Sequence, residues 1–412
     1  MTLELLIGFI LLFLAFFLKL YFKDHLHPAS VFSATWGLVI FTIALSQSLG
    51  YHQIAPLPLL LYFCGVMLFV IGAIVATRFV LRPELIKCSA KVGAVNYSRL
   101  ALFCVFVHLV MLPLWWGEVV AMAGGQTDLI SLSFTLRYLT ATEGESLSIL
   151  VGNYLVLGFV LAPILAIGAM ESKIRWVTFG FVFTPWLAIN IITNGRGALV
   201  QLMLVFLYLY VLNNRKLGLK SLAIICASTA FVLIFGAILV GKNDATIEEG
   251  FGGVVAPVLE NTLDYALQGP ILFSSYFENE SLITPTWDAL VFPCRLLGYF
   301  DACSVGPLHQ DYLPFKSDGR VGNVYSIYLS IYPKYGVAGV MLFLMLYGAW
   351  ASFHHVRAWS TKSLTHSLLA SYLFSAVVLS VFSDLFAPSL NFLIKLIIVS
   401  IVVQRTFVSK RI

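Results

Sequence analysis

The sequence predicts an all-α membrane protein: a polytopic bundle of about eleven transmembrane helices with one long loop on the side away from the cytoplasm. Three observations predict it: the composition, the length of the apolar runs and the distribution of charge. Of 412 residues, 60% are hydrophobic and 11% charged, where a soluble domain carries about 25% charged residues. A water-soluble fold of this composition has too little polar surface to cover itself. The apolar runs are about 20 residues long, the length that crosses a hydrocarbon core of roughly 30 Å. Inside lipid the backbone must satisfy its own hydrogen bonds, so such runs are helices. Barrel strands would alternate over shorter segments, whereas stretches such as 198–212 are apolar throughout but for Gln201.

In chain order the expected spans lie near residues 3–20, 31–49, 57–77, 98–116, 148–170, 176–193, 198–213, 221–241, 336–353, 364–382 and 389–404. The first run precedes Lys19 and Lys23, the reverse of a cleavable leader, in which the charges come first. It is therefore expected to stay as a span with its N-terminus outside, which puts the C-terminus in the cytoplasm. The whole chain, 1–412, reads as a single integral membrane domain without internal repeats. Two outer connections are long, 117–147 and 242–335, and loops of that length tend to be functional.

Charge supports this orientation. Of the 25 Lys and Arg residues, 17 fall on the predicted cytoplasmic turns and tails, and 17 of the 20 acids fall outside. Basic residues concentrate on the cytoplasmic side of membrane proteins. The net charge of +5 is the remainder of two opposed biases, and no nucleic-acid partner is implied.

The long loop contains Tyr265, Tyr276, Phe277, Trp287, Tyr299 and Tyr312. That apolar content predicts short helices on the membrane surface, near 253–277 and 286–300. An irregular stretch to about 322 follows, then a helix over 323–335 that re-enters the membrane. Cys294 and Cys303 share this loop, where oxidising conditions permit a bridge; two free thiols are the other reading. No His or Cys spacing matches a metal ligand set, and no cofactor is predicted.

Because the outer face is acidic, its few cations stand out. Arg196 lies in the turn Asn194-Gly-Arg-Gly197 between two spans. It reads either as an anchor reaching the headgroups or as a phosphate ligand, since guanidinium binds phosphate oxygens in pairs. Arg320 sits in Asp318-Gly-Arg-Val-Gly-Asn323. Arg295, Lys242 and Arg137 are supporting candidates for a cationic pocket, each equally readable as a headgroup contact or surface ion pair. A general base would come from His309, Asp311, Asp318, Asp264 or Glu260, with His309 titrating in the useful range and Asp311 beside it. Asn323 and Tyr325 are candidate contacts to sugar or phosphate, against capping for Asn323 and interfacial anchoring for the tyrosine. Asp384 and Lys395 are charges at or inside spans, which are functional candidates in a membrane protein.

The stretch Asn323-Val-Tyr-Ser-Ile-Tyr-Leu-Ser-Ile-Tyr-Pro-Lys-Tyr-Gly336-Val-Ala-Gly339, followed by an apolar span, resembles the return segment of bacterial oligosaccharide repeat-unit polymerases, the Wzy-type O-antigen polymerases. The Asn194-Gly-Arg196-Gly turn resembles that family's Arg–Gly motif. Lys334 departs from the pattern, in which an Asp is common at that place. The resemblance implies a multi-pass glycosyltransferase of the bacterial inner membrane whose long loop is periplasmic. Its substrate would be an undecaprenyl-diphosphate-linked oligosaccharide, used in lipopolysaccharide biosynthesis. Arg196 and Arg320 would hold the diphosphate, supported by Arg295, Lys242 and Arg137. His309 or Asp311 would take the acceptor's proton, and no metal would be required. Membrane lipids and a chain-length regulator are the further partners implied. An O-antigen ligase shares this chemistry and is the first alternative. A lipid-linked oligosaccharide flippase or other transporter is the second, with the long loop counting against it.

Overall fold

The computed structural model describes residues 2–80, 95–139, 147–193, 196–214, 250–280, 293–294 and 312–408, without the side chains of 80, 130, 137, 196, 214 and 250–259. In chain order the helices are α1 (Leu3–Phe22), α2 (Pro28–Leu45), α3 (Pro56–Val80), α4 (Tyr97–Met122), α5 (Leu129–Tyr138), α6 (Ile149–Met170), α7 (Trp176–Ile192) and α8 (Arg196–Asn214). They continue as α9 (Gly250–Glu278), α10 (Ile327–Thr361), α11 (Leu364–Leu379) and α12 (Leu390–Thr406). Two short strands, β1 (Leu313–Pro314) and β2 (Val321–Gly322), pair antiparallel ahead of α10.

Among the described residues, six helices are long and apolar enough to cross a membrane: α1, α2 with the 3-10 turn after it, α3, α4, α6 and α10. The protein is an all-α, multi-pass membrane protein. The outer face of α1 makes the point locally: Phe9, Phe13, Phe16 and Phe17 are each more than half exposed. Such a stripe is an aggregation site in water and is at home in hydrocarbon. The predicted span 221–241 lies outside the described residues, and so does the predicted helix 286–300 except for 293–294, which are helical.

The chain divides into two compact units, Met1–Cys88 with Asn261–Thr361 and Leu373–Asn391, and Ser89–Glu260 with Lys362–Tyr372 and Phe392–Ile412. The core of the first is aromatic. Trp36 of α2 meets Tyr62 of α3 at 5.0 Å and Tyr328 of α10 at 4.9 Å between ring centres, and Phe273 of α9 closes the group at 5.7 Å from Tyr62. Buried Tyr and Trp need partners for their polar tips, and these have them. The Tyr62 hydroxyl donates to the Pro270 carbonyl at 2.7 Å, and Trp36 Nε1 donates to Ser380 Oγ at 3.1 Å.

That core changes the reading of the 253–277 stretch. A helix lying on a membrane surface keeps one face wet. In α9 every residue from Leu267 to Leu272 is buried, and so are Phe273 and Ser274. Those residues fill the space between α3 and α10, where periodicity in the sequence could not show a second apolar partner. The return segment is helical from Ile327, and α10 is two helices joined at Gly336 (φ 62°, ψ −167°). That region of backbone space is open essentially to glycine alone.

In the second unit, His108 of α4 is buried between α6 and α7. Its Nδ1 lies 2.7 Å from the Tyr154 hydroxyl and its Nε2 2.9 Å from the Val182 carbonyl. Both ring nitrogens are occupied, so this histidine ties three helices together. Helix α4 runs on to Met122, past the point where the 117–147 loop was expected to begin.

Candidate functional site

The first unit gathers a cluster of charge where α2 ends, and it is built from the backbone outward. The segment after β1 turns back through Lys316–Gly319, with Phe315 N–H bonded to Arg320 C=O at 3.0 Å. This hairpin lies against residues 50–52: Ser317 N–H donates to Gly50 C=O at 2.9 Å and His52 N–H to Phe315 C=O at 3.1 Å. Gly50 allows the approach, because it has φ +85° and a Cβ there would stand 2.6 Å from Ser317 Oγ. Segment 50–54 is itself held by Glu4, which accepts from Ile54 N–H at 2.7 Å.

Asp264 of α9 is the centre. It is buried, and its Oδ1 accepts from the Tyr51 hydroxyl and stands 3.6 Å from Lys316 Nζ. Its Oδ2 receives Arg320 Nη1 at 2.9 Å. Asp318 takes Arg320 Nε at 3.0 Å and the Arg320 backbone N–H at 3.0 Å. The ammonium of Lys316 also lies 4.5 Å from the centre of the Tyr51 ring, a cation–π contact. Lys316 is only 5% exposed, whereas the Arg320 side chain is 42% exposed.

Lys316 and Arg320 are matched by Asp264 and Asp318, so the four groups are formally balanced, with one carboxylate buried and the other at the surface. The two ion pairs engage Arg320 through Nη1 and Nε, which fixes the plane of the guanidinium. The arrangement is an oriented cation whose side chain is 42% exposed, within reach of an anion from solvent.

Of the residues singled out from sequence, Arg320 lies in this cluster. Asn323 is half-buried just after β2, and Tyr325 is buried beside it. A sugar could touch Tyr325 only if its surroundings moved. Asp264 and Asp318, read as possible bases, serve here as the anchors of Arg320. Lys242, Arg295, His309, Asp311 and Cys303 lie outside the described residues. Cys294 is disulfide-bonded, with the partner sulfur outside the described residues. Arg196 opens α8 and Arg137 lies in α5, both in the second unit, and neither side chain is described. Lys316 and Tyr51 escaped the sequence reading. Lys316 had a signal, being four residues before Arg320 in one short turn; Tyr51 had none, because it lies 213 residues from its carboxylate partner.

Asp384, in the connection between α11 and α12, is also buried. Its Oδ1 accepts from Phe386 N–H at 2.8 Å and Ala387 N–H at 3.1 Å, a local turn that explains its place.

These features define a helical multi-pass membrane protein with a cluster of ion pairs in its first unit. No protein-family profile matches the chain, and no curated protein or solved structure matches it.

Proposed function

We propose that this chain is a glycosyltransferase that polymerises undecaprenyl-diphosphate-linked oligosaccharide repeat units, an O-antigen polymerase of the bacterial inner membrane. In this reading it has about eleven spans, its cytoplasmic turns are the basic ones, and the cluster around Asp264 faces the periplasm. The observation that carries the reading is the half-exposed Arg320 guanidinium, fixed by Asp264 and Asp318 beside the buried Lys316. It stands at the entrance to the 323–339 segment that resembles the polymerase family.

The reaction joins an acceptor hydroxyl oxygen to the anomeric carbon of the donor glycan. The bond from that carbon to the diphosphate oxygen breaks, and the lipid diphosphate leaves with the electron pair. Arg320 and Lys316 supply fixed positive charge to the leaving group, and preoriented charge of this kind is often the largest catalytic contribution. Asp264 is a positioning residue, because it holds both cations and their aromatic neighbour Tyr51. The hydroxyl proton passes to a base in the long loop, for which His309 and Asp311 are the candidates. Arg196, Arg295, Lys242 and Arg137 are the supporting cations of the proposal.

The test is deletion of the gene in its host, followed by a silver-stained gel of the lipopolysaccharide. Core bearing a single repeat unit, without a ladder, is the expected result. Complementation with Arg320→Ala should leave the ladder absent while the protein remains at normal level in the membrane, and Arg320→Lys should restore it only in part, since an ammonium is a point charge without the guanidinium fork. Bare core would point to a ligase or a flippase instead. An unchanged ladder would remove the chain from this pathway.

A further inference from the structure

The second unit carries a cation that the proposed chemistry does not use. Lys395 is the sixth residue of α12, about 7 Å along the helix from its start, in a segment otherwise apolar for four residues on either flank except for Asn391. Its ammonium donates to the Asn153 side-chain oxygen of α6 at 2.8 Å. Asn153 is neutral, so the contact orients the ammonium without balancing its charge.

Lys395 lines a groove of about 480 Å³ formed by α4, α6 and α12. Its walls are Phe106, Val110, Leu157 and Ile398 with similar neighbours, and among the described residues no acidic one lines it. The other polar group there, the Tyr154 hydroxyl, is already bonded to His108. Phe106 and Ile398 are more than half exposed, so the groove is open along its side. An apolar furrow of this size falls in the range of small-molecule sites. A lysine in such a place extends its stem along apolar surface and its ammonium toward the headgroup region.

We propose that this groove binds one acyl chain of an anionic phospholipid, with the lipid phosphate paired to Lys395. Charge complementarity selects the headgroup. Phosphatidylglycerol keeps a net negative charge for the ammonium, whereas a zwitterionic headgroup neutralises its phosphate internally. The chain fills the furrow and Asn153 holds the lysine in the position that meets the phosphate.

Native mass spectrometry of the full chain in detergent tests this with dioleoyl phosphatidylglycerol and dioleoyl phosphatidylcholine. The wild type should retain the first phosphatidylglycerol about tenfold more tightly than phosphatidylcholine, the effect of one hydrogen-bonded charge pair. Lys395→Met should abolish that preference, and Lys395→Arg should keep it. Val110→Trp, which fills the furrow and leaves the lysine, should lose the retained lipid while helical circular dichroism stays unchanged. An undiminished preference in Lys395→Met would overturn the proposal, as would retention by a folded Val110→Trp protein. A wild type that binds neither lipid and forms a dimer dissociated by Val110→Trp would assign the groove to a second copy of the chain, and so also overturn it.

Discussion

Two ends of the first unit set carboxylates against cations in different ways. Where α2 begins, Asp24 meets His355 of α10 at 2.7 Å, and the His27 ring packs on His355 at 5.3 Å between centres. Ala29 N–H donates to His27 Nδ1 at 3.3 Å, so the ring is neutral with its proton on Nε2, which faces Thr77 Oγ1 at 3.2 Å. Where α2 ends, Asp264 meets the permanent charges of Lys316 and Arg320. The histidine end is closed, with His27 and His355 almost wholly covered. The other end keeps its arginine half in the open. A covered ionic group serves packing, because a ligand cannot reach it. A cation pinned by carboxylates yet exposed is already desolvated in part and oriented, and it costs less entropy when an anion arrives.

The largest effect should come from removing the anchor of the open end. Asp264→Ala removes the carboxylate 3.6 Å from buried Lys316, and breaking a buried pair costs about 3–5 kcal/mol. Thermal unfolding in detergent should show a large fall in midpoint; a shift near zero would mean that water already compensates Lys316 and the cluster is not a rigid anchor. Next comes Gly336→Ala, which forces a side chain into a glycine-only conformation at a cost of about 2 kcal/mol. The same unfolding measurement should register it, and no change would mean that α10 tolerates a straight path through 336.

A pH titration separates the two ends. Burial, with the charge of His355 beside it, pushes His27 down to about 3, against the upward pull of Asp24. Between pH 6.5 and 3 the unfolded chain then holds a proton that the folded chain lacks. Stability therefore falls as pH drops through that window, by about 1.4 kcal/mol per pH unit at most. His27→Gln should flatten this slope while leaving stability above pH 7 much closer to the wild type. Asp24 acts at lower pH. Burial raises its carboxyl, but the hydrogen bond and charge of His355, with Leu26 N–H and His27, outweigh it and hold it below the usual value. Its contribution is complete above the ordinary carboxyl range and is lost as pH falls through the depressed value.

The smallest effect belongs to Asp318→Ala. Both partners of that pair are more than two-fifths exposed, and exposed ion pairs contribute about 0–1 kcal/mol. Stability should barely move. If Asp318 also aims Arg320, the same variant should thin the lipopolysaccharide ladder, a readout that a purely structural pair would not change.

Some of the site was legible in the chain and some was not. Arg320 stood out because cations are rare among the acids of its predicted face, whereas Gly336 entered only as part of the segment that resembles the polymerase family. Asp264 was one acid among several, with nothing to mark it as the partner of Arg320. Tyr325 and Tyr276 could be read as interfacial anchors or sugar platforms, yet both are buried, Tyr276 beside Tyr332.

The sequence by itself determined the class of the protein, because apolar runs of about 20 residues fit membrane-spanning helices and lack the short alternating pattern of barrel strands. It also determined where the unusual cations lie. Only the tertiary structure decided that residues 267–274 of α9 are buried on every face, that Tyr51 and Lys316 join Arg320 on one carboxylate, and that Lys395 stands over an apolar furrow. Those outcomes depend on which helices become neighbours, and hydrophobic burial is non-directional: it drives helices together without naming the partner.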